Sequence, residues 1–305
     1  MIALALVGAG KIARDQHLPA IAGDPRFELV ATVDPAGGVD GAPRFADLAT
    51  LIANGPDVQA VALCTPPAVR HLLAAAAIEA GLHVLLEKPP ATTLSQADDL
   101  AVRAQRRGVT AFAAWHSREA PGVAPAREWL ANRTIRSVAI DWREDIRRWH
   151  PGQEWILGAG GFGVFDPGIN ALSILTAILP APVTLEAATL DVPAGRAAPI
   201  AATLTMRSAA ASILAAFDFL EAGPQRWSVV VETDIGTLRL EEGGDCLTLP
   251  EGPSVLEPER EYPRLYARFA DLVEAGASDV DTSALRLVAD AFLVGQQREV
   301  ASFSF

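Results

Sequence analysis

A chain of 305 residues, half of them hydrophobic, is long enough for two domains of ordinary size, each with its own core. Its formal charge of −12 disfavours a polyanion such as nucleic acid as the main partner, and no stretch offers the roughly twenty uncharged apolar residues of a membrane span. Two cysteines, Cys64 and Cys246, make no disulfide framework, and no Cys or His falls at metal-ligand spacing, so a cytoplasmic protein without a metal centre is expected.

The apolar run Ile2 to Val7 leads into Gly8-Ala9-Gly10-Lys11-Ile12-Ala13, and the residues to about Ile21 read as a helix. This is G-x-G-x-x-A in a strand-turn-helix setting. Gly8 would make the tight turn, Gly10 would let a pyrophosphate approach the backbone, and Ala13 would allow close helix packing, with phosphate on the free N–H groups around Lys11 and Ile12. A second strand, Phe27 to Val33, ends at Asp34, 24 positions after Gly10, where an acid can hold the adenosine ribose hydroxyls. The following Pro35-Ala36-Gly37 offers no arginine for a 2′-phosphate, which favours NAD over NADP. The alternation continues through helix Phe45 to Asn54, strand Val58 to Leu63 and helix Ala68 to Ala80. Thr65-Pro66-Pro67 breaks the chain at a strand's carboxyl edge, and His71 follows, either lining a dinucleotide pocket or sitting on the helix surface.

The next strand carries the most informative residues. Val84, Leu85 and Leu86 have the unbroken hydrophobicity of a parallel strand covered on both faces, and Pro89-Pro90 stops it abruptly, so Glu87 and Lys88 stand at the carboxyl edge where ligands bind in open α/β sheets. Of the 25 Lys+Arg residues only Lys11 and Lys88 are lysine. Lysine, unlike arginine, can exchange a proton near neutral pH when burial or a neighbouring cation disfavours its charge, so Lys88 is the candidate catalytic group. Helix Leu94 to Arg107 and strand Thr110 to Ala114 complete a sheet of five or six parallel strands.

Taken together, Gly8-x-Gly10-x-x-Ala13, Asp34, Thr65-Pro66-x-x-x-x-His71 and Glu87-Lys88-Pro89 resemble the glucose-fructose oxidoreductase / inositol dehydrogenase (Gfo/Idh/MocA) family. The resemblance implies a Rossmann domain over residues 1–117 and an α+β domain with a large, mostly antiparallel sheet over 118–305. It also implies a lysine beside the nicotinamide, with Gly8, Gly10, Lys11, Ile12, Asp34, Thr65, Pro66, His71, Glu87 and Lys88 at the cofactor.

Past Trp115-His116-Ser117-Arg118 a helix, Ala124 to Ala131, leads to the strand Ser137 to Trp142. Then comes a polar-aromatic stretch, Trp142 to Trp155, holding three of the six tryptophans together with Glu144, Trp149 and His150. Indoles among charged groups suit a sugar, whose C–H faces stack while its hydroxyls need donors and acceptors; a core aromatic cluster rimmed by ion pairs would read the same way. Gly160 to Asn170 then opens an apolar helix running to about Leu179, in which Asp166 before Pro167 has the look of an N-cap and Asn170 lies one turn on.

Family members usually carry D-x-G-x-H here, with the histidine as acid/base, whereas this chain reads Asp166-x-Gly168-x-Asn170. With Lys11 to Ile21, Trp115 to Arg118, Arg148 to Gln153, Val164 to Ser173, Pro258 to Pro263 and Arg286 to Phe292, that departure resembles the bacterial L-arabinose / D-galactose 1-dehydrogenase branch. It implies oxidation of the anomeric hydroxyl of a pyranose to a lactone, with hydride transfer to NAD, NADP being the alternative. Lys88, Asp166 and Asn170 would be catalytic, and Glu144, Trp149, His150, His116 and Trp227 would bind the sugar. Trp227 could instead cover the sheet. Two other activities compete: oxidation of a ring hydroxyl, as in inositol dehydrogenases, and non-catalytic dinucleotide sensing.

From Pro182 to Leu249, short strands such as Ser212 to Phe219 and Trp227 to Val231 fit an antiparallel sheet, a face on which a homo-oligomer could form. Helices Arg264 to Ala275 and Thr282 to Gln297 are expected at the end.

Overall fold

A computed structural model describes residues 1–254, 256–258 and 260–305; Glu259, in the stretch Pro258 to Pro263 named above, lies outside them. The chain divides into two compact units, Met1–His116 with Glu261–Thr282, and Ser117–Arg260 with Ser283–Phe305.

In the first unit the strands are β1 (Ile2–Val7), β2 (Phe27–Val33), β3 (Arg44–Phe45), β4 (Ala60–Leu63), β5 (His83–Glu87) and β6 (Ala111–Ala114). They form one parallel sheet in the order β3-β2-β1-β4-β5-β6, which reverses direction between β1 and β4. The helices are α1 (Leu18–Gly23), α2 (Leu48–Asn54), α3 (Pro67–Glu79) and α4 (Leu94–Arg107). Successive residues of β1 serve opposite faces, Leu4 and Leu6 on one, Ala5 and Val7 on the other, so the strand is apolar throughout. Two local outcomes differ from expectation. The first helix begins at Lys11 and carries a π-helical turn, Ala13–His17, before continuing as α1 with Pro19, which has no N–H to donate, in its first turn. Phe45, expected to begin a helix, is paired in β3, and α2 starts later because the Asp47 side chain accepts from the Thr50 N–H at 2.7 Å.

The second unit holds α5 (Val123–Leu130), β7 (Ile135–Arg143), the short α6 (Ile146–Trp149), α7 (Phe165–Ile178), β8 (Val183–Pro193), β9 (Ala201–Ser208), β10 (Ala211–Asp218), β11 (Arg226–Thr233), β12 (Thr237–Glu241), β13 (Cys246–Leu249) and β14 (Gly252–Pro253). Its sheet runs β14-β13-β12-β11-β7-β10-β9-β8 and ends on β15 (Gln296–Val300), with only β7–β10 and β8–β15 parallel. Gly168 brings α7 close to this sheet, since a Cβ there would stand 2.8 Å from the Phe217 ring. The final helix, Ser283–Val294, stops at Gly295, so the residues expected to extend it form β15 instead.

The helix α8 (Glu261–Ala275) was expected in the second domain, and the structure places it in the first unit. Its face of Tyr262, Leu265, Tyr266 and Phe269 joins Leu4, Leu6, Ile21, Phe27 and Phe112 in one apolar cluster, with Phe269 stacked 6.1 Å from Phe27 and 6.3 Å from Phe112. Phe269→Ala should therefore destabilise the protein by about 3–5 kcal/mol in chemical denaturation. An unchanged midpoint would mean that α8 does not hold this core.

Candidate active site

At the switch between β1 and β4, a cleft of about 440 Å³ is lined by Gly8, Gly10, Asp34, Thr65 and Pro66 among others. Gly8 has φ +92°, and a Cβ there would lie 3.1 Å from the Cys64 and Thr65 backbone, so the turn and the close approach both require glycine. A Cβ on Gly10 would meet nothing within 4 Å, so the backbone there faces open space. Asp34 binds the loop together: Oδ2 accepts from the Ala9 N–H at 2.8 Å, and Oδ1 from Ala36 at 2.7 Å and Gly37 at 3.2 Å. Burial works against its charge, but these backbone donors and Arg44 hold its carboxyl below the usual range. Among the described residues Thr65 Oγ1 is buried without a hydrogen-bond partner, an orphan that a polar ligand in the cleft would satisfy. An open glycine backbone, an ionised acid and an orphaned hydroxyl around one cleft fit a dinucleotide.

Two arginines missed in the sequence stand beside this cleft. Arg44 donates to the Asp34 and Pro35 carbonyls at 3.2 and 2.6 Å, and Arg14 to the Gly38 carbonyl at 2.8 Å. The Pro35-Ala36-Gly37 segment itself has no arginine, but the fold supplies them from β3 and the first helical turn. The side chains of other expected cofactor residues do not line this cleft. His71 Nε2 meets Asp99 at 2.8 Å, an ion pair between α3 and α4 that Arg103 shares, which is the helix-surface alternative. Lys11 pairs with Asp15 on the exposed start of the helix, and Ile12 is exposed.

Glu87 and Lys88 end β5 as expected, and the Lys88–Pro89 bond is cis. Glu87 is buried: Oε2 accepts the Lys88 backbone N–H at 2.8 Å, while Oε1 receives Tyr262 at 2.6 Å and His17 Nε2 at 3.1 Å. Burial would raise the Glu87 carboxyl, yet His17, the charge of His116 and the Tyr262 hydroxyl hold it well below the usual carboxylate range. Arg70, buried on α3, donates to the carbonyls of Thr65, Glu87 and Pro89, so one guanidinium joins the chain after β4 to the chain after β5. His116, expected at the sugar, pairs with Glu261 at 2.6 Å and stacks on Tyr262. Burial opposes its charge, and Glu261 and then Glu87 raise its pKa. A signal for Arg70 and His17 existed in the pattern: each occupies the apolar face of its helical segment, Arg70 with Pro67, Ala74 and Ala77, and His17 with Ala13, Ala20 and Ile21.

The second unit gathers the polar-aromatic residues. The Asp145 side chain caps α6 by accepting from Arg147 at 2.9 Å, which places Trp149 and His150 at the end of that short helix. His150 Nε2 then stands 3.7 Å from Glu144 Oε1 and 3.6 Å from Asp166 Oδ2, beyond ordinary hydrogen bonding. Glu144 and Asp166 are only 5% and 7% exposed. Trp227 Nε1 donates to Glu144 Oε2 at 3.0 Å, and its ring lies 5.6 Å from Trp149, which is 36% exposed. The structure thus brings Glu144, Trp149, His150, Asp166 and Trp227 together: an imidazole between two buried carboxylates, walled by indoles. Asp166 is not the helix cap its sequence suggested. The N-cap is Val164, held by the Pro199 carbonyl at 2.7 Å, and this puts Asp166 inside the first turn with Asn170 half-buried one turn on.

A family model described as an oxidoreductase family with an NAD-binding Rossmann fold matches residues 2–114. The galactose 1-dehydrogenase of Pseudomonas fluorescens is 46% identical over 303 residues, 99% of this chain and 98% of that protein. The crystal structure of a D-galactose-1-dehydrogenase from Rhizobium etli aligns at 49% identity and TM-score 0.95, covering 99% of this chain and 98% of that one. A 3-ketoreductase from Actinomadura kijaniata, crystallised with NADP, aligns at TM-score 0.85 and 19% identity over 98% of this chain and 99% of that one, which speaks for the fold alone. Similar from end to end to a relative at 46% identity, and carrying the dinucleotide cleft described above, the chain belongs to the GFO_IDH_MocA oxidoreductases, whose Rossmann fold binds NAD.

Proposed function

We propose that the protein is an aldose 1-dehydrogenase that oxidises the anomeric hydroxyl of D-galactose, L-arabinose or both to the lactone. The observation that carries this reading is His150 set between two buried carboxylates and walled by indoles, in a chain similar over its whole length to galactose 1-dehydrogenases. Such a notch offers both donor and acceptor to vicinal hydroxyls and an apolar face to the ring. D-Galactose and L-arabinose share the C2, C3 and C4 configuration and differ by the C5 hydroxymethyl group, so one set of contacts serves both.

Bound NAD would supply the hydride acceptor. Gly8 and Gly10 would admit its pyrophosphate, Asp34 would hold the adenosine ribose, and Thr65 and Pro66 would line its path. Lys88 contacts the anomeric oxygen in this scheme, and either Lys88 or Asp166 takes the hydroxyl proton, a choice that only the titration of both groups separates. Asn170 orients the sugar with one donor and one acceptor and transfers no proton. Glu144 and His150 bind the remaining hydroxyls, Trp149 stacks on the ring, and Trp227 holds Glu144 in place. His116 supports the Glu87 cluster.

A panel of aldoses assayed by NADH formation, with the lactone trapped as its hydroxamate, tests the reaction. Galactose or arabinose should be turned over, and Lys88→Met should lower kcat by at least ~10²-fold. Turnover of myo-inositol with none of any aldose would instead establish oxidation of a ring hydroxyl. The cofactor preference has its own test. If Arg44 is what admits a 2′-phosphate, Arg44→Ala should lower kcat/KM for NADP about tenfold, the scale of one lost charge-assisted hydrogen bond, and leave the NAD value within about threefold.

A further inference from the structure

Behind the end of β5 the first unit encloses titratable side chains that no step above uses. His17 is fully buried and turns Nδ1 to the Tyr266 hydroxyl at 2.8 Å and Nε2 to Glu87 Oε1 at 3.1 Å. A carboxylate has no proton to give, so His17 Nε2 and the Tyr262 hydroxyl must both donate to it. His17 Nδ1 faces a hydroxyl, which accepts as readily as it donates, so a doubly protonated imidazole fits this position. The same carboxylate receives the backbone N–H of Lys88 on its other oxygen. A cation against an ionised carboxylate buried this deeply adds to its hydrogen bonds in offsetting the cost of desolvation.

We propose that His17 is a positioning residue for Lys88: as a buried cation it keeps Glu87 ionised, so that Glu87 grips the Lys88 backbone while its negative field at the lysine amine is cancelled from the interior side. The inference rests on reading Lys88 as the reacting amine. The groups facing the pair are Cys64 after β4, Tyr262 and Tyr266 on α8, and His116, itself paired with Glu261. Burial opposes the charge on His17, and the hydrogen bond to ionised Glu87 favours it, the direction the arrangement requires. Burial pushes the Tyr266 hydroxyl up to about 12, so it stays neutral beside the ring.

Because the chain has only two lysines, acylation can report on Lys88 directly. The full-length protein is acylated with acetic anhydride from about pH 6 to pH 11, and the Lys88 and Lys11 peptides are quantified by mass spectrometry. His17→Gln should move the Lys88 midpoint up by about half a pH unit or more, because the Glu87 charge is then uncompensated; Glu87→Gln should move it down, and Lys11 should stay fixed in both. In turnover, His17→Gln should lower kcat about tenfold with KM for NAD within about threefold, a split that a general loss of structure would not give. An unmoved Lys88 midpoint in either variant that still binds NAD, or equal shifts at both lysines, overturns the proposal. The labelling needs no substrate, so the expected shifts in a protein that oxidises no aldose would count against the proposed function alone.

Discussion

A carboxylate at the end of a buried strand has to be answered from inside the protein, and much of the first unit is arranged around the answer given to Glu87. Its partners come from distant parts of the chain: His17 from the helical segment after the glycine turn, Tyr262 from α8, and the backbone of Lys88 beside it. The π-helical turn that ends at His17 contributes to this geometry, since it falls where the helix must both turn an imidazole inward and admit Pro19. Glu87 thereby couples the glycine loop, the strand end and the aromatic face of α8, and Arg70 adds a second tie by holding the carbonyls on either side of Lys88 and that of Thr65.

The second unit uses a different means to the same end. Glu144 and Asp166 are nearly as buried as Glu87, but they flank one histidine at 3.7 and 3.6 Å, beyond ordinary hydrogen bonding. One of them is oriented by an indole N–H, a donor that cannot take a proton and so fixes the carboxylate without competing for it. Glu87, gripped by short hydrogen bonds, suits a supporting role, whereas carboxylates set about a shared histidine suit the recognition of hydroxyl groups.

What could be read from the sequence was what periodicity and punctuation encode. The parallel strands are unbroken apolar runs, the glycine turn is a local motif, and Lys88 stood out because lysine is otherwise almost absent. The second unit's sheet was legible in the β-rich segments that became β10 and β11, and the family resemblance held over the whole chain. The failures share a cause. A helical stripe says that a face is buried but not against which sheet, so α8 was assigned to the wrong unit. Arg44 reaches the Asp34 loop only because β3 pairs beside β2, a contact that spacing cannot show. The strand Gln296–Val300 is mostly exposed and pairs along β8 through its backbone and an Arg298–Asp191 ion pair, leaving no apolar alternation to detect. Asp166 was read as a cap because Asp-Pro favours one locally, but the Pro199 carbonyl captures the backbone earlier and starts the helix ahead of it.

The place of α8 in the chain has a consequence for how the protein is made. Synthesis proceeds from the N-terminus, so all six strands of the first sheet leave the ribosome long before Tyr262, Tyr266 and Phe269 exist to cover one of its faces. Until then the sheet's apolar side and the Glu87 carboxylate wait uncovered, and nearly the whole second unit is translated in the interval. The nucleotide-binding half of the protein is thus begun first and finished late.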